Sequence, residues 1–375
     1  MKKIILFLLF FVSSAALADA GSLYNYPYLY KGMRSIGMGG TFTAVGSDPE
    51  ALFYNPAGLY DMGFQLAVLN PLIEVDQNLQ SLAGDIQTAG NKGTEAERID
   101  SLTDVISKNM GKPLHGRLSL FPHLAMKNYA VGVVGNGIFD ARLHNPLGSQ
   151  GAVEVNSGYE YGPVAGGSFI LPVKGLRMGI GAKYISSSWL DEGFTIRQIA
   201  SENFKPMDSA INKTDFSLDV GFLYDIDTSI IEILKPIEFL KPKAGLSILN
   251  ITDLDFRESG KGRMIPMTAN IGISVNPALF NLVDTLFLFD YQDITGKYEQ
   301  DKSIWKRVHL GAELGLLSRR VFLRAGLNQG YPSIGAELNI GILRLGYVYY
   351  TEEIGAYAGQ DKNTRHLLQL SLGWY

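Results

Sequence analysis

The chain has 375 residues, with 33 basic and 37 acidic side chains, a formal net charge of −4 and no cysteine. This charge leaves no basic surplus for binding nucleic acid, and the lack of cysteine excludes disulfides, thiolate metal sites and a lipid-modified cysteine. Hydrophobic residues make up 46% of the chain, which also contains 42 Gly and 19 Tyr. This composition favours a protein of many strands over a helical enzyme.

The first residues have the pattern of a secretory signal. Two lysines follow the initial methionine, an apolar run extends from Ile4 to Val12, and small residues end in Ala16-Leu17-Ala18. We predict that residues 1–18 are a signal peptide, cleaved after Ala18 or after Ala20. No later apolar stretch approaches the roughly 20 residues of a membrane helix. If the protein lies in a membrane, it must therefore form a closed barrel, which satisfies every backbone group in lipid.

Residues 19–60 lack the alternation of a strand and are predicted as a separate N-terminal hatch, or plug. Gly37-Met38-Gly39-Gly40 allows tight backbone conformations. Ser47 or Asp48 can cap a short helix with Pro49 in its first turn, and Asn55-Pro56 ends that helix in a turn. The glycine cluster is not a dinucleotide fingerprint, because no strand precedes it and its third glycine is absent. A compact, turn-rich and apolar segment suits the inside of a barrel.

Two motifs in this segment carry a resemblance. Gly37-Met38-Gly39-Gly40 and Asn55-Pro56-Ala57-Gly58-Leu59 resemble the N-terminal signature of the FadL/TodX outer-membrane transporters of Gram-negative bacteria, a superfamily that includes the PorV-like proteins of secretion systems. The resemblance implies a hatch inside a barrel and a hydrophobic cargo such as long-chain fatty acids. It implies these hatch residues: Gly37, Gly39, Gly40, Asn55, Pro56 and Ala57.

Residues 61–375 are predicted as an all-β, transmembrane antiparallel barrel. Apolar residues alternate with polar residues and glycine, as in Leu368 to Trp374. Successive side chains of a strand point to opposite faces, so one face suits lipid and the other a crowded interior. We predict about fourteen strands, at approximately 63–75, 116–127, 128–139, 153–171, 175–189, 214–225, 241–250, 264–275, 284–293, 305–316, 319–328, 332–340, 342–351 and 365–375.

Long and short connections alternate between these strands, as they do in outer-membrane barrels. Two connections depart from this rule: an apolar insert at residues 226–240, predicted as helix-like on the periplasmic side, and the external connection from Asn328 to Tyr331, which is short. The first long loop has helical periodicity from Asn78 to Met110. Its helices either fold over the barrel mouth or pack on a neighbour as solvated loop helices.

Charged residues on the predicted lumen face are the candidate ligand contacts. Charges in a narrow interior must pair, since isolated burial is costly. We expect each to pair with another or with the hatch; alternatively, one or two basic groups hold a ligand's carboxylate. The candidates are Arg177, Lys183, Asp219, Arg307, Glu313, Arg324, Glu337 and Arg344.

No catalytic or metal-binding pattern stands out. The five histidines lack metal-ligand spacing, and no nucleophile elbow occurs. We therefore predict no enzyme activity, no metal and no cofactor.

The last strand ends in Trp374-Tyr375, which resembles the signal read by the barrel-assembly machinery, although Tyr375 is out of phase with the apolar face. Both aromatics suit interfacial anchors equally well. We predict an outer-membrane protein of a Gram-negative bacterium that contacts lipid and takes up hydrophobic small molecules passively. The alternatives are a PorV-like docking or shuttle partner in protein secretion, and a barrel with a purely structural role.

Overall fold

A computed structural model describes residues 25–60, 62–146, 151–228, 238–277, 283–298 and 303–375. The predicted signal peptide, residues 1–18, lies outside the described residues. So does the core of the predicted periplasmic insert, residues 229–237.

Fourteen antiparallel strands close into a barrel. The first two are each divided into two segments: β1 comprises Gln65–Leu69 and Leu72–Asp76, and β2 comprises Pro113–Leu120 and His123–Met126. Both segments of β1 pair with the last strand, which closes the sheet. The others are β3 (Tyr129–Leu143), β4 (Val153–Ile170), β5 (Leu176–Phe194), β6 (Ile211–Asp225), β7 (Lys243–Leu249), β8 (Thr268–Val275), β9 (Asp284–Tyr291), β10 (Val308–Leu316), β11 (Val321–Asn328), β12 (Tyr331–Asn339), β13 (Leu343–Glu353) and β14 (Lys362–Trp374).

The predicted strand number is confirmed, but several boundaries were wrong. Strands predicted at 63–75 and 116–127 are interrupted at Asn70-Pro71 and Phe121-Pro122, because proline has no N–H for the ladder. Met264–Ile265, assigned to the predicted strand 264–275, instead pairs with Leu254–Asp255 in a separate external hairpin. The predicted strands at 175–189 and 214–225 are longer, reaching Phe194 and starting at Ile211.

The predicted alternation separates a lipid face from a lumen face. The outward residues Leu310, Leu323, Ile334 and Leu368 are 41%, 45%, 62% and 47% exposed. A continuous exposed belt of this kind is stable in hydrocarbon, where the closed sheet also satisfies the backbone. The barrel is therefore transmembrane. Among the helices of the described residues, none is long and apolar enough to cross a membrane.

Residues 25–60, the described part of the segment predicted as the hatch and called the hatch below, pack against the inner wall of the barrel. They contain helix α1 (Met33–Gly37) and two 3-10 turns, Pro49–Phe53 and Pro56–Leu59. Each turn begins with proline, and its N-cap side chain, Asp48 or Asn55, accepts a backbone N–H. The predicted cap at Asp48 is thus present. Asn55 starts a second turn instead of only ending the first.

Helices α2 (Gln77–Gly90) and α3 (Glu95–Lys108) follow β1 at the end of the barrel with the long connections, which is the external end. Asp76 caps α2, and Thr94 with Glu97 forms a capping box on α3. Their apolar faces pack on α4 (Ile196–Ala200) and on the strand ends. These contacts match the second predicted alternative, helices that pack on neighbours at the rim.

Candidate functional site

The lumen is the candidate site, and its glycines mark where the hatch lies against the wall. A Cβ atom on Gly326 of β11 would lie 2.5 Å from the carbonyl carbon of Met38, and one on Gly245 of β7 would lie 2.7 Å from that of Thr43. Backbone atoms cannot yield to such contacts, so these positions require glycine while the hatch is in place. Close approach of the hatch explains the glycine-rich interior face seen in the sequence.

The predicted hatch glycines sit at the end of α1. Gly39 and Gly40 have φ of 68° and 85°, in the left-handed region that favours glycine. A Cβ on Gly39 would lie 2.6 Å from the carbonyl oxygen of Leu327. Gly37 packs against the side chain of Arg324 on β11. All three glycines therefore let the hatch backbone approach the wall closely.

Asn55 joins two hatch loops to the wall. Its Nδ2 donates to the carbonyl oxygens of Thr43 at 2.7 Å and Phe222 of β6 at 3.0 Å, and its Oδ1 accepts from Ala57 N at 3.1 Å. Pro56 occupies the first position of the 3-10 turn. Ala57 is fully buried, and its carbonyl oxygen accepts from Ser168 Oγ of β4 at 3.0 Å. The Asn-Pro-Ala motif is thus a fixed point of the hatch.

Side chains of β8 to β10 satisfy further hatch backbone groups. Asp290 Oδ2 accepts from Phe42 N at 2.7 Å, Thr43 N at 2.9 Å and Thr43 Oγ1 at 2.8 Å. Nδ1 of His309 donates to Gly39 O at 2.8 Å, and Ser274 Oγ donates to Ala44 O at 2.9 Å. These hydrogen bonds satisfy hatch backbone groups that, in a solvated loop, would bond to water. They fix one side of the hatch to this part of the wall.

Three of the predicted lumen charges belong to one ion-pair chain. Arg34 of α1 contacts Asp48 at 2.7 Å and Glu313 of β10 at 2.6 Å. Glu313 also contacts Arg324 at 2.7 Å, and Arg324 contacts Glu337 of β12 at 2.8 Å. The chain therefore couples hatch to wall. The sequence reading missed Arg34 because its partner lies 279 residues away.

The other predicted charges are spread along the lumen. Lys183 and Asp219 pair at 2.8 Å, with Asn250 at 3.0 Å from the ammonium group. Arg177 pairs with Asp225, and its guanidinium lies 4.5 Å from the ring centre of Tyr60.

Arg307 was predicted on the strand at 305–316, and only that strand assignment was wrong, because its side chain lines a cavity at the external end of the lumen. Arg307 is the last residue of the 3-10 turn Ile304–Arg307 at the external end. The side chain of Ser303 caps the start of this turn, and the strand begins only at Val308. Arg344 does lie on a strand, β13, with its guanidinium 3.7 Å from the ring centre of Tyr375.

A second buried polar cluster was missed from the sequence. Glu74 of β1 accepts from Tyr350 Oη at 2.6 Å, Arg117 Nε at 3.0 Å and Arg365 Nη1 at 3.2 Å. His115 bridges Glu74 and Asp140 at 2.9 and 2.5 Å. The only sequence signal is a set of single charges on alternate lumen-facing positions. The cluster joins β1, β2, β3, β13 and β14 and leaves these charges paired.

The hatch meets the opposite wall through an apolar seam, which we define as Tyr30, Phe53, Phe121, Val134 and Val164. The rings of Tyr30 and Phe53 lie 4.7 Å apart between centres, and those of Phe53 and Phe121 lie 4.8 Å apart. Phe121, Val134 and Val164 are fully buried. The seam gives an aromatic and aliphatic surface between the hatch and β2 to β4.

A cavity at the external end, the mouth cavity, is continuous with this seam because both share Tyr30 and Phe53. Its polar lining includes Lys183, Asn250 and His309, which already bond within the protein. The lining also contains Asp293, Lys306 and Arg307, so charged and amide side chains form one part of its surface and aromatic and aliphatic side chains form the other. The apolar lining is Tyr26, Pro27, Tyr28, Leu29, Tyr30, Phe53, Tyr54, Leu249, Ile265 and Pro266.

The seam ends where the wall is interrupted. At this point the ladder of β1 and β2 lacks the N–H groups of Pro71 and Pro122. Asn70 fills the gap: its Nδ2 donates to Phe121 O at 2.7 Å and its Oδ1 accepts from Phe121 N at 2.8 Å. A single side chain thus replaces the backbone pairing between β1 and β2 beside the buried ring of Phe121.

No protein-family model matches this chain, and no curated protein sequence matches it. Solved structures of similar shape include the CymD monoaromatic hydrocarbon channel, 12% identical over 93% of this chain and 98% of that one, with a TM-score of 0.49. A Pseudomonas aeruginosa FadL homologue is 10% identical over 94% and 99%, with a TM-score of 0.49. The Ralstonia pickettii toluene transporter TbuX is 13% identical over 92% and 98%, with a TM-score of 0.48. The barrel described above rests on this chain's own strand pairing.

Proposed function

We propose that this protein is a passive outer-membrane channel for hydrophobic small molecules such as long-chain fatty acids. The observation that carries the proposal is the apolar part of the mouth cavity, which continues as packed apolar contacts from Tyr30 and Phe53 to Phe121. Ligand sites for apolar molecules are concave, aromatic and largely pre-formed. The N-terminal signal pattern and the lipid-facing barrel support an outer-membrane location, and the Gly37 and Asn55 motifs resemble those of the FadL-like transporters.

The attachment of the hatch suggests the route. Hydrogen bonds and ion pairs from Asp290, His309 and Glu313 hold one side of the hatch to β9 and β10. On the side of β2 to β4, the contacts of Tyr30 and Phe53 with Phe121 form the apolar seam, and the hydrogen bond from Ser168 Oγ to Ala57 O lies outside it. Apolar contacts are non-directional, so a hydrophobic ligand can replace them without leaving polar groups unpaired. The ligand then passes along the seam, either sideways at the Phe121 interruption or onward to the periplasm, and no energy source is required.

A crosslink across the seam tests this proposal. The chain has no cysteine, so Phe53→Cys with Phe121→Cys gives one unambiguous thiol pair. In vesicles whose outer leaflet is lipopolysaccharide, which slows the unaided entry of hydrophobic molecules, a short reducible crosslinker should slow uptake of radiolabelled decanoate and decanol about tenfold, and reduction should restore it. Each single-cysteine variant is the matched control. Full crosslinking without any change in uptake would refute the route, and equal uptake by empty vesicles would refute the channel.

Purification from the native membrane distinguishes the channel from the alternative, a docking partner in protein secretion. Mass spectrometry of the protein extracted from its own membrane should find hydrophobic ligand bound to it. Stoichiometric secretion components without ligand would favour a docking role and contradict the channel.

A further inference from the structure

A second cavity, the periplasmic cavity, lies at the end of the barrel with the short turns. Its lining includes Arg319 from the β10–β11 turn, Tyr375 at the end of the last strand, and the hatch residues Asp48 and Glu50. Met33 and Phe322 contribute apolar surface. The cavity is therefore below the hatch, at the point where a ligand would leave the lumen.

Most charges around this cavity are already paired. Asp48 contacts Arg34 at 2.7 Å, and Glu337 contacts Arg324 at 2.8 Å. Burial and the neighbouring charge of Asp48 raise the pKa of Glu50 to about 8, which favours the neutral form of this hatch carboxyl. The lining thus has little uncompensated negative charge to repel an anion.

Arg344 differs from the other arginines of the lining. Among the described residues, no salt bridge or hydrogen bond engages its side chain, and its buried Nε has no acceptor. Its guanidinium instead lies 3.7 Å from the ring centre of Tyr375. A cation on an aromatic face keeps its charge and its in-plane donors. Arg344 therefore faces the cavity with a fork of donors that suits a carboxylate.

We propose that Arg344, positioned by the ring of Tyr375, binds the carboxylate of an amphiphilic ligand at the periplasmic end of the lumen. The uncharged side chains of Gln369 and Ser371 line the same cavity and can add hydrogen bonds. The ligand's tail would lie against Met33 and Phe322. That the ligand arrives through the lumen rests on the proposed channel function, whereas the presence of an anion-binding subsite at Arg344 does not.

Binding of three probes tests the subsite directly. The full chain in lipid nanodiscs is titrated with decanoate carrying a ¹³C-labelled carboxyl, with decanol and with acetate, using empty nanodiscs as the blank. Arg344→Gln should raise the dissociation constant of decanoate about tenfold or more, because hydrogen bonds to charged groups are strong, and should leave decanol binding unchanged. Arg319→Gln is the matched control, since Arg319 lines the same cavity but is 62% exposed and lies 3.8 Å from Asp284.

The outcomes separate the subsite from the channel. Equal decanoate binding by wild type and Arg344→Gln, or no decanoate binding by wild type, would overturn the subsite. If acetate bound as tightly as decanoate, and if Arg344→Gln weakened the binding of both equally, the cavity would be a site for small periplasmic anions. That result would overturn the proposal that the ligand is an amphiphile. Uptake into vesicles is measured separately. If vesicles with the wild-type protein took up neither decanoate nor decanol, the channel function would be refuted but the anion-binding subsite would not. Heat-modifiable gel migration equal to wild type confirms that Arg344→Gln has assembled.

Discussion

The side-chain amide of Asn70 takes the place of a backbone partner for Phe121, donating to its carbonyl oxygen at 2.7 Å and accepting from its N–H at 2.8 Å. Elsewhere along β1 and β2, backbone pairs such as Leu72 with Ser119 do this work. Two prolines cause the difference, because neither Pro71 nor Pro122 has a hydrogen to donate. The pairing of β1 with β2 thus depends at this point on one buried side chain, beside the apolar seam.

Replacing Asn70 by alanine should loosen this part of the wall. The Phe121 N–H and carbonyl oxygen would lose their partners, at about 0.5–1.5 kcal/mol for each hydrogen bond. We expect amide hydrogen exchange at Phe121 to rise about tenfold. Faster uptake of decanol would indicate a sideways path, and unchanged uptake would indicate a path onward to the periplasm.

Asn78→Ala is the control for this change. Its Nδ2 donates to Pro113 O at 2.9 Å in the external loop, away from the interruption. Exchange at Phe121 that stays as slow in Asn70→Ala as in Asn78→Ala would contradict the bracing role of Asn70.

Removing Arg34 should destabilise the attachment of the hatch. Arg34→Met leaves Glu313 and Asp48 without their shared cation, and breaking a buried ion pair from one side costs about 3–5 kcal/mol. The urea midpoint for hatch release, followed by protease cleavage within residues 25–60, should fall while the barrel remains heat-modifiable. Arg320→Met, in an exposed turn, should have no effect. Equal midpoints for the two variants would mean that the ion-pair chain does not hold the hatch.

Glycine at position 326 is predicted to be obligatory. In Gly326→Ala the new methyl would meet the carbonyl carbon of Met38 at 2.5 Å, and backbone cannot move aside as a flexible side chain can. We expect the hatch of Gly326→Ala to become accessible to protease. Gly135→Ala is the matched control because its methyl would find its nearest neighbour, Leu120 Cβ, at 3.9 Å. A protected hatch in Gly326→Ala would contradict the close packing described above.

The barrel could be predicted from the sequence because the side chains of a strand point alternately to its two faces, so that lipid-facing and lumen-facing residues alternate along the chain. Leu368 and Gln369 could be assigned to lipid and lumen from their positions alone. The sequence also indicated Asp48 as a cap, since capping is local. It could not pair Arg34 with Glu313, or gather Glu74, His115 and Arg365 into one cluster, because periodicity records which face a side chain is on but not which distant residue it meets. The same limit made Arg344 look like any other lumen charge.

Stability of the hatch should decrease as pH rises from about 4.5 to about 8. The pKa of Glu50 is raised from 4.5 to about 8 by burial and by Asp48, so the folded hatch binds a proton that the released segment gives up. A raised pKa in the folded state contributes stability at low pH that is lost as pH rises through the folded value. Other groups titrate as well, so the useful quantity is the difference from Glu50→Gln, which mimics the protonated acid. Between pH 5 and pH 9 the urea midpoint for hatch release should fall more steeply in wild type than in Glu50→Gln. Parallel pH profiles for the two proteins would show that Glu50 is ionised in the folded hatch.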